Sequence, residues 1–442
     1  MTHINKPISS LTSPDVLIIG AGAAGLFAAI HTARINPNLN ILILDSAKQV
    51  GTKILVSGGS RCNVTHHKVS PKDYAGASKN QINKILKSYT IKQTINFFEQ
   101  IGISLKQEPT GKMFPTTDSA RDVLNALLSE CSRLGITILT NHKVSSIQPL
   151  HSRPPSSPQF EVRTENTHQF TPRTIILATG GRSLPKSGSD GSGYTLAQAL
   201  GHTITNTTPA LVPLTFPKGH YLTSLSGLSF DTTLTLSAST GKTIHQHSAS
   251  LLLTHFGLSG PAAMDISRHF IAATQNDPHA KLTASLISDQ SNHSFESLEQ
   301  QLIAAAKQSP TSHLINHITK NYLAHIPGSS KLLTAIFSHH LNIDPTTPLA
   351  QLSRDHRRSL IHTLLALPLN VTGNRGWNYA EVTAGGIPLT EINLKSMSSR
   401  HTPNLHLIGE ILNVDGRIGG FNFQFAWSTA YIAAQAISAS ID

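Results

Sequence analysis

The sequence predicts an α/β protein whose parallel-sheet domain is split by inserted modules, and three observations carry that prediction. Residues 15–45 place a glycine-rich turn between two short apolar runs. Residues 174–181 add a third apolar run ending in a glycine pair, and residues 404–436 return to the same pattern after a long middle of different character.

The first unit reads DVLIIGAGAAGLFAAIHTARINPNLNILILD. Val16 to Ile19 are uniformly apolar, as a central parallel strand buried on both faces should be. Gly20, Gly22, Ala23, Ala24 and Gly25 form the turn and open a helical stretch; Ile41 to Leu44 make a second strand ending in Asp45 and Ser46. Gly20 allows the tight turn, Gly22 lets the backbone approach a pyrophosphate, and Gly25 permits close helix–strand packing. The helix N-terminus offers unpaired N–H groups to that phosphate. Asp45, 20 residues beyond Gly25, is placed to accept from ribose hydroxyls. Strand, turn, helix, strand and acid at these spacings predict dinucleotide binding without choosing between NAD and FAD.

The later segments extend the domain. HKVSSIQPL, which includes Val144, and QFEVRTEN read as a β-meander around a Pro/Ser-rich turn. TIILATGG is a strand ending in Ala178, Thr179 and Gly180. In NLHLIGEILNVDGRIGGFNFQFAWSTAYIAAQA, Leu405 to Ile408 form a strand closed by Gly409 and Glu410, and an apolar helix begins near Phe423 to Ala426. Gly419, Gly420, Phe421 and Asn422 precede that helix, where its partial positive charge faces any bound group.

Between these pieces, FDTTLTLSAST, KTIHQHSASLLLT and HAKLTASLIS alternate at period two, which predicts antiparallel strands with a turn at Ser239–Gly241. Gly260-Pro261 marks a helix start. From Ser294 to about Leu367 the pattern is helical, and Pro368 closes it. The expected organisation is 1–195 and 368–442 as two parts of a cofactor domain, 196–292 as a β-rich module and 293–367 as a helical module.

Composition narrows the function classes. Lys plus Arg number 35 against 24 Asp plus Glu, a net +11. The excess favours anionic partners such as nucleic acid or a nucleotide, but no run of five or six basic residues occurs, so a basic solvated surface stands beside that reading. The same two readings apply to SRDHRRS at 353–359. Cys62 and Cys131 are the two cysteines; their count and spacing argue against a disulfide scaffold, a zinc site or a dithiol pair, and no metal site is expected. No stretch approaches the ~20 apolar residues that span a bilayer, and the polar N-terminus lacks a signal-peptide core. A cytoplasmic protein without a membrane partner is expected; the sequence leaves its oligomeric state open.

At this point the sequence resembles the HI0933-like flavoproteins of the two-dinucleotide-binding-domain class. The matching pieces are GAGAAG, GTKILVSGGSRCNVTH, LATGG, TLAQALGH, PALVPL, THFGLSGPA, NRGWNYAEVTAGGI and IGEILNVDGRIGGFNFQFAWSTA, in order across almost the whole chain. Departures are mild: Asp45 stands where Glu is commoner and Ser60 where a third glycine is common. The resemblance implies a Rossmann-like, glutathione-reductase-like FAD-binding domain holding FAD tightly but non-covalently. It implies cofactor roles for the residues named above, with Asp415 and Glu410 near the ribityl chain or phosphates. Lys53, Gly58, Gly59, Arg61, Cys62 and Asn63 fall in the segment that such proteins run along the flavin and pyrophosphate. Arg61 is expected on an FAD phosphate or the flavin edge.

The family's activities include ribosomal RNA dihydrouridine synthesis, reduction of unsaturated bile-acid intermediates and aminoacetone oxidation. The first two share hydride transfer to an electron-poor C=C bond. The basic charge ranks ribosomal RNA first as substrate, with NAD(P)H as a transient reductant because no second GxGxxG occurs. A small conjugated molecule, or an RNA-binding factor with structural FAD, are the competing readings. For the proton, Cys62 and His255 are the candidates, each with a plainer alternative: packing beside the cofactor for Cys62, and fixing the THFGLSGP turn for His255.

Overall fold

A computed structural model describes residues 11–150, 154, 156–287 and 293–440. Two compact units divide the chain: residues 1–209 with 380–442, and residues 210–379.

The first unit is built on a seven-stranded sheet in the order 392–393, 398–399, 405–407, 174–177, 16–19, 41–44, 137–139. Strand β1 (Val16–Ile19) pairs in parallel with Thr174–Leu177 on one side and with β2 (Ile41–Leu44) on the other, Val16 standing opposite both Thr174 and Ile41. Leu405–Leu407 and Thr137–Leu139 extend the parallel set, and the 392–399 hairpin adds an antiparallel edge. Every residue of β1, β2 and 174–177 is buried, which explains their apolar runs, as expected of central strands covered on both faces.

Helix α1 (Ala23–Ile35) is buried continuously from Ala24 to Ala33 because the C-terminal helix Phe421–Ser440 packs along it. Phe27 anchors this contact, with ring centroids 4.9 Å from Trp427, 4.6 Å from Phe97 and 5.4 Å from Tyr89. The helix starts at Phe421, slightly earlier than its apolar run suggests. Helices Lys79–Ser88 and Ile91–Gln100 each open on a complete capping box, Ser78 with Gln81 and Thr90 with Gln93. The expected meander is present as strands 144–149, 160–164 and 169–170.

The second unit carries its own seven-stranded sheet, ordered 367–368, 281–285, 229–237, 243–254, 257–259, 214–215, 373–374. All its pairings are antiparallel. Helix Gly260–Asn276 packs on this sheet and begins at the expected Gly-Pro step. The helical stretch 295–365 returns to the sheet through Leu367, opposite Ala284. The expected boundaries fall at 195/196, 292/293 and 367/368, whereas the compact units change at 209/210 and 379/380. Among the described residues, no helix is long and apolar enough to cross a membrane.

Candidate cofactor-binding site

The glycine turn of the first unit is shaped by close backbone contact. Gly20 has φ 109°, and a Cβ there would lie 2.4 Å from the Ala178 carbonyl oxygen. A Cβ on Gly25 would lie 1.9 Å from the Gly20 carbonyl oxygen. Gly22 is different: a Cβ there meets nothing within 4 Å, so this turn opens onto free space. Helix α1 starts here with no capping side chain and no acid in its first turn. Its leading N–H groups are therefore available to an anion.

Asp45 closes the same end. Its Oδ2 accepts from the Ala21 N–H at 2.7 Å and its Oδ1 from the Ala47 N–H at 2.8 Å. Each oxygen keeps a lone pair. Burial raises the carboxyl pKa, and these two bonds oppose the rise. Gly188 brings its backbone against the pair, where a Cβ would stand 3.2 Å from Ser46 Oγ. Val144 is buried at the start of the first meander strand. Thr179 packs against the backbone of Gly193, and Gly180, at φ 72°, lies beside Ser189.

A charged network ties three distant segments together. Lys53, on α2 (Thr52–Ser60), places Nζ 2.5 Å from Glu410 Oε2 and 2.7 Å from Ser183 Oγ. Glu410 Oε1 accepts from Ser183 Oγ and from the Thr383 N–H, both at 2.9 Å. Thr383 Oγ1 in turn accepts from the N–H groups of Arg182 and Ser183. Lys53 and Glu410 are expected site residues; Ser183, Thr383 and Tyr194 are not. The one sequence signal for Ser183 is its place two residues beyond the glycine pair of LATGG. Among the described residues, the buried Tyr194 hydroxyl has no hydrogen-bond partner.

Helix α2 links this network to the SGGSRCNVTH stretch, its leading Gly51 donating to the Ala21 carbonyl at 3.2 Å. The stretch is helix in part: α2 kinks at Ser57, where ψ is 145°, and passes through left-handed Gly58 and Gly59. Gly58 fits under Phe114, whose ring a Cβ would meet at 2.8 Å, while Gly59 faces open space. Asn63 is buried, and its Oδ1 has no hydrogen-bond partner among the described residues.

Arg61 is held by Glu108 at 2.6 Å and Asp118 at 3.6 Å, with its guanidinium 4.0 Å over the Phe114 ring. An anion at Arg61 would compete with two carboxylates. Cys62, at φ 61°, is completely buried in the core of the unit, and burial pushes its thiol up to about 12. The group is a protonated thiol at neutral pH, enclosed by protein. Cys62→Ala is therefore expected to retain flavin and turnover while costing about 1 kcal/mol of stability. A fall in turnover of ~10²-fold or more, the scale of a lost general acid, would place the thiol in the chemistry.

The C-terminal segment meets this stretch. Gly420, at φ 90°, lies against Thr65, with a Cβ position 2.6 Å from its carbonyl. Gly419 has φ 129° and faces the Phe421 ring. Asn422 clamps Gly416, donating to its carbonyl at 2.9 Å and accepting from its N–H at 2.8 Å. Asp415 is buried opposite Ala75 in a two-residue pairing. The helix that follows has no acid in its first turn. Gly409 donates its N–H to Thr429 Oγ1 at 3.0 Å, fixing the Gly409-Glu410 corner to the same helix.

The other candidates lie in the second unit. His255 is exposed in the turn between 243–254 and 257–259. Thr254 holds that turn, donating to the Gly257 carbonyl at 2.9 Å and accepting its N–H at 3.1 Å. In 353–359, Ser353 caps helix Arg354–Leu365, Arg357 pairs with Glu299 at 3.5 Å, and Arg358 lies over Phe295.

A dinucleotide cofactor fits the first unit. The open faces of Gly22 and Gly59, the uncapped α1 terminus, and the buried Asn63 Oδ1 and Tyr194 hydroxyl are features the described residues do not themselves satisfy.

Comparison with known proteins agrees. Over 423 residues the chain is 32% identical to the ribosomal RNA dihydrouridine synthase of Haemophilus influenzae, covering 96% of this chain and 98% of that one. It is 29% identical to the 3-dehydro-bile acid delta(4,6)-reductase of Clostridium scindens, covering 95% and 98%. In fold it resembles the 3-ketosteroid delta1-dehydrogenase of Sterolibacterium denitrificans, at TM-score 0.51 and 12% identity over 97% of this chain and 100% of that one. The family model described as the HI0933-like protein Rossmann domain matches residues 14–436. The chain belongs to the HI0933-like family, and so to the flavin-dependent oxidoreductases.

Proposed function

We propose that the chain binds FAD in its first unit and reduces uridine to dihydrouridine in 23S ribosomal RNA, with NAD(P)H as reductant. The carrying observation is the open anion cradle at Gly22, flanked by the uncapped α1 terminus and the oriented Asp45 carboxylate. In this reading α1 holds the pyrophosphate through backbone N–H groups, and Asp45 accepts from the adenosine ribose. The Lys53–Glu410 pair fixes the turn that carries Gly409, and Gly419–Asn422 present the C-terminal helix N-terminus to the flavin ring.

When bound, the flavin supplies a hydride to an electron-poor carbon of a C=C bond. Uracil C5=C6, conjugated to C4=O, is such a bond. The names of the two relatives describe saturation of C=C bonds in chemically different molecules, which supports the reaction class more firmly than the substrate. The net charge of +11 supports a polyanionic substrate, and the identity to the RNA-modifying relative is the higher of the two. An RNA substrate also places the protein in the cytoplasm. A small conjugated molecule is the second reading, favoured by the bile-acid reductase relative alone.

The test is mass mapping of 23S ribosomal RNA from a strain lacking this protein. A dihydrouridine present in the parent is expected to revert to uridine and to return on complementation. Unchanged dihydrouridine, with no redundant enzyme, would overturn the substrate.

A further inference from the structure

The edge of the first unit's sheet gathers two imidazoles and a carboxylate that the cofactor site does not use. His202 follows helix Ser192–Ala199, Glu391 ends the turn Leu389–Glu391, and His401 follows the 398–399 strand. One ligand atom from each lies within 4.8 Å of the other two. His202 Nδ1 is 2.8 Å from Glu391 Oε2, and His401 Nε2 is 3.5 Å from the same oxygen. The rings stand edge to face with centroids 5.0 Å apart. His202 is buried while His401 is 42% exposed, so one side of the cluster is open to solvent ions.

The surroundings hold the two inner ligands in place. Glu391 Oε1 accepts from the Thr203 hydroxyl, and the Thr203 N–H bridges both carboxylate oxygens at 3.3 and 3.1 Å. That anchoring sets the carboxylate plane and turns Oε2 toward the rings. Ser399 Oγ lies 2.8 Å from His202 Nε2 and accepts from the N–H groups of His401 and Thr402. With both its lone pairs used, the serine donates its own hydrogen to Nε2, and Nδ1–H donates to Glu391. Outer contacts of this kind orient metal-ligating histidines.

We propose that His202 Nδ1, Glu391 Oε2 and His401 Nε2 form a three-ligand site for a late first-row divalent cation, zinc foremost, with water completing the shell. Two imidazoles and one carboxylate suit zinc and its neighbours rather than calcium or magnesium. Bonds of about 2.0–2.2 Å bring tetrahedral ligands to roughly 3.3 Å from each other. The present 2.8 and 3.5 Å separations straddle that spacing, and the exposed His401 is the ligand that adjusts. The cation takes the Nδ1 lone pair; the ring's single proton moves to Nε2, and Ser399 Oγ accepts from it by releasing one of its two backbone N–H groups, its own hydrogen turning away. No net proton is lost or gained at neutral His202. His202 and Glu391 are 189 residues apart and flank the inserted second unit. The metal therefore clips together the segments by which the chain leaves and re-enters the first unit, a closure whose worth grows with loop length.

Calorimetric titration of the metal-stripped full-length protein with zinc chloride tests this. One saturable equivalent is expected, weakened at least about tenfold in His401→Ala and unchanged in His356→Ala, an exposed histidine of the 354–365 helix. Zinc is expected to raise the thermal midpoint of the wild type and of His356→Ala, but not of His401→Ala. His401 is exposed, so its removal tests binding without threatening the fold. No saturable equivalent, or unchanged binding by His401→Ala, overturns the site; neither readout depends on flavin or on turnover.

Discussion

Gly25→Ala is expected to yield a protein that carries no flavin and unfolds far more easily than the wild type. The new Cβ would sit 1.9 Å from the Gly20 carbonyl oxygen, and the obstacle is backbone, which cannot swing aside. Helix α1 must lift from β1, yet α1 is buried along ten consecutive residues against the C-terminal helix and the aromatic cluster around Phe27. A loss of roughly 3 kcal/mol, the upper end for overpacking, is expected in urea denaturation of the apoprotein. Gly22→Ala separates the two effects. Its Cβ meets no protein atom, so stability is expected to be preserved while flavin content falls, because the methyl group occupies the cradle. Equal flavin content in wild type and Gly22→Ala would show that the pyrophosphate does not lie there.

Acid is expected to destabilise the first unit well above the range where carboxylates protonate. Burial, assisted by Arg34 and opposed by Glu130, lowers the His31 pKa to about 3. Burial likewise lowers His406 to about 4 against the opposing bond to the Ser396 carbonyl. Both groups therefore bind protons more readily unfolded, near 6.5, than folded. Their contribution to stability is complete above pH 6.5 and declines as pH falls from there toward the folded values. At pH 5 each accounts for a loss of about 2 kcal/mol relative to pH 8.

His66, in the same unit, is also shifted downward by burial and acts in the same direction. Glu130, lowered to about 2 chiefly by its bond to Arg133, loses its contribution only below pH 4.5. His31→Phe, in a pocket formed by Phe27, Phe97, Tyr89 and Tyr431, is expected to remove its share of the loss between pH 8 and pH 5. An unaltered pH dependence in that variant would contradict the assignment to His31.

What was legible in the sequence is what local pattern encodes. Buried parallel strands announce themselves as apolar runs, and Gly20 and Gly25 are required by contacts with the adjacent strand and a few residues away. The turn at 238–242 and the helix start at Gly260 are equally local. Contacts between remote segments were not legible. Lys53 meets Glu410 across 357 residues, and nothing near either residue specifies the other. Arg61, expected on a phosphate, is engaged by Glu108 and Asp118. SGGSRCNVTH reads as loop because of its glycines, yet α2 continues into it through a kink. The expectation of no metal site rested on cysteine spacing, whereas the proposed ligands are histidines and a glutamate brought together by the sheet edge.

Uridine reduction is tested with the purified flavin-loaded protein, NAD(P)H without oxygen, and 23S ribosomal RNA from the deletion strain. One uridine is expected to gain two hydrogens by mass mapping while the reduced flavin is reoxidised in step. A flavin that NAD(P)H reduces but that stays reduced beside unmodified RNA would contradict it.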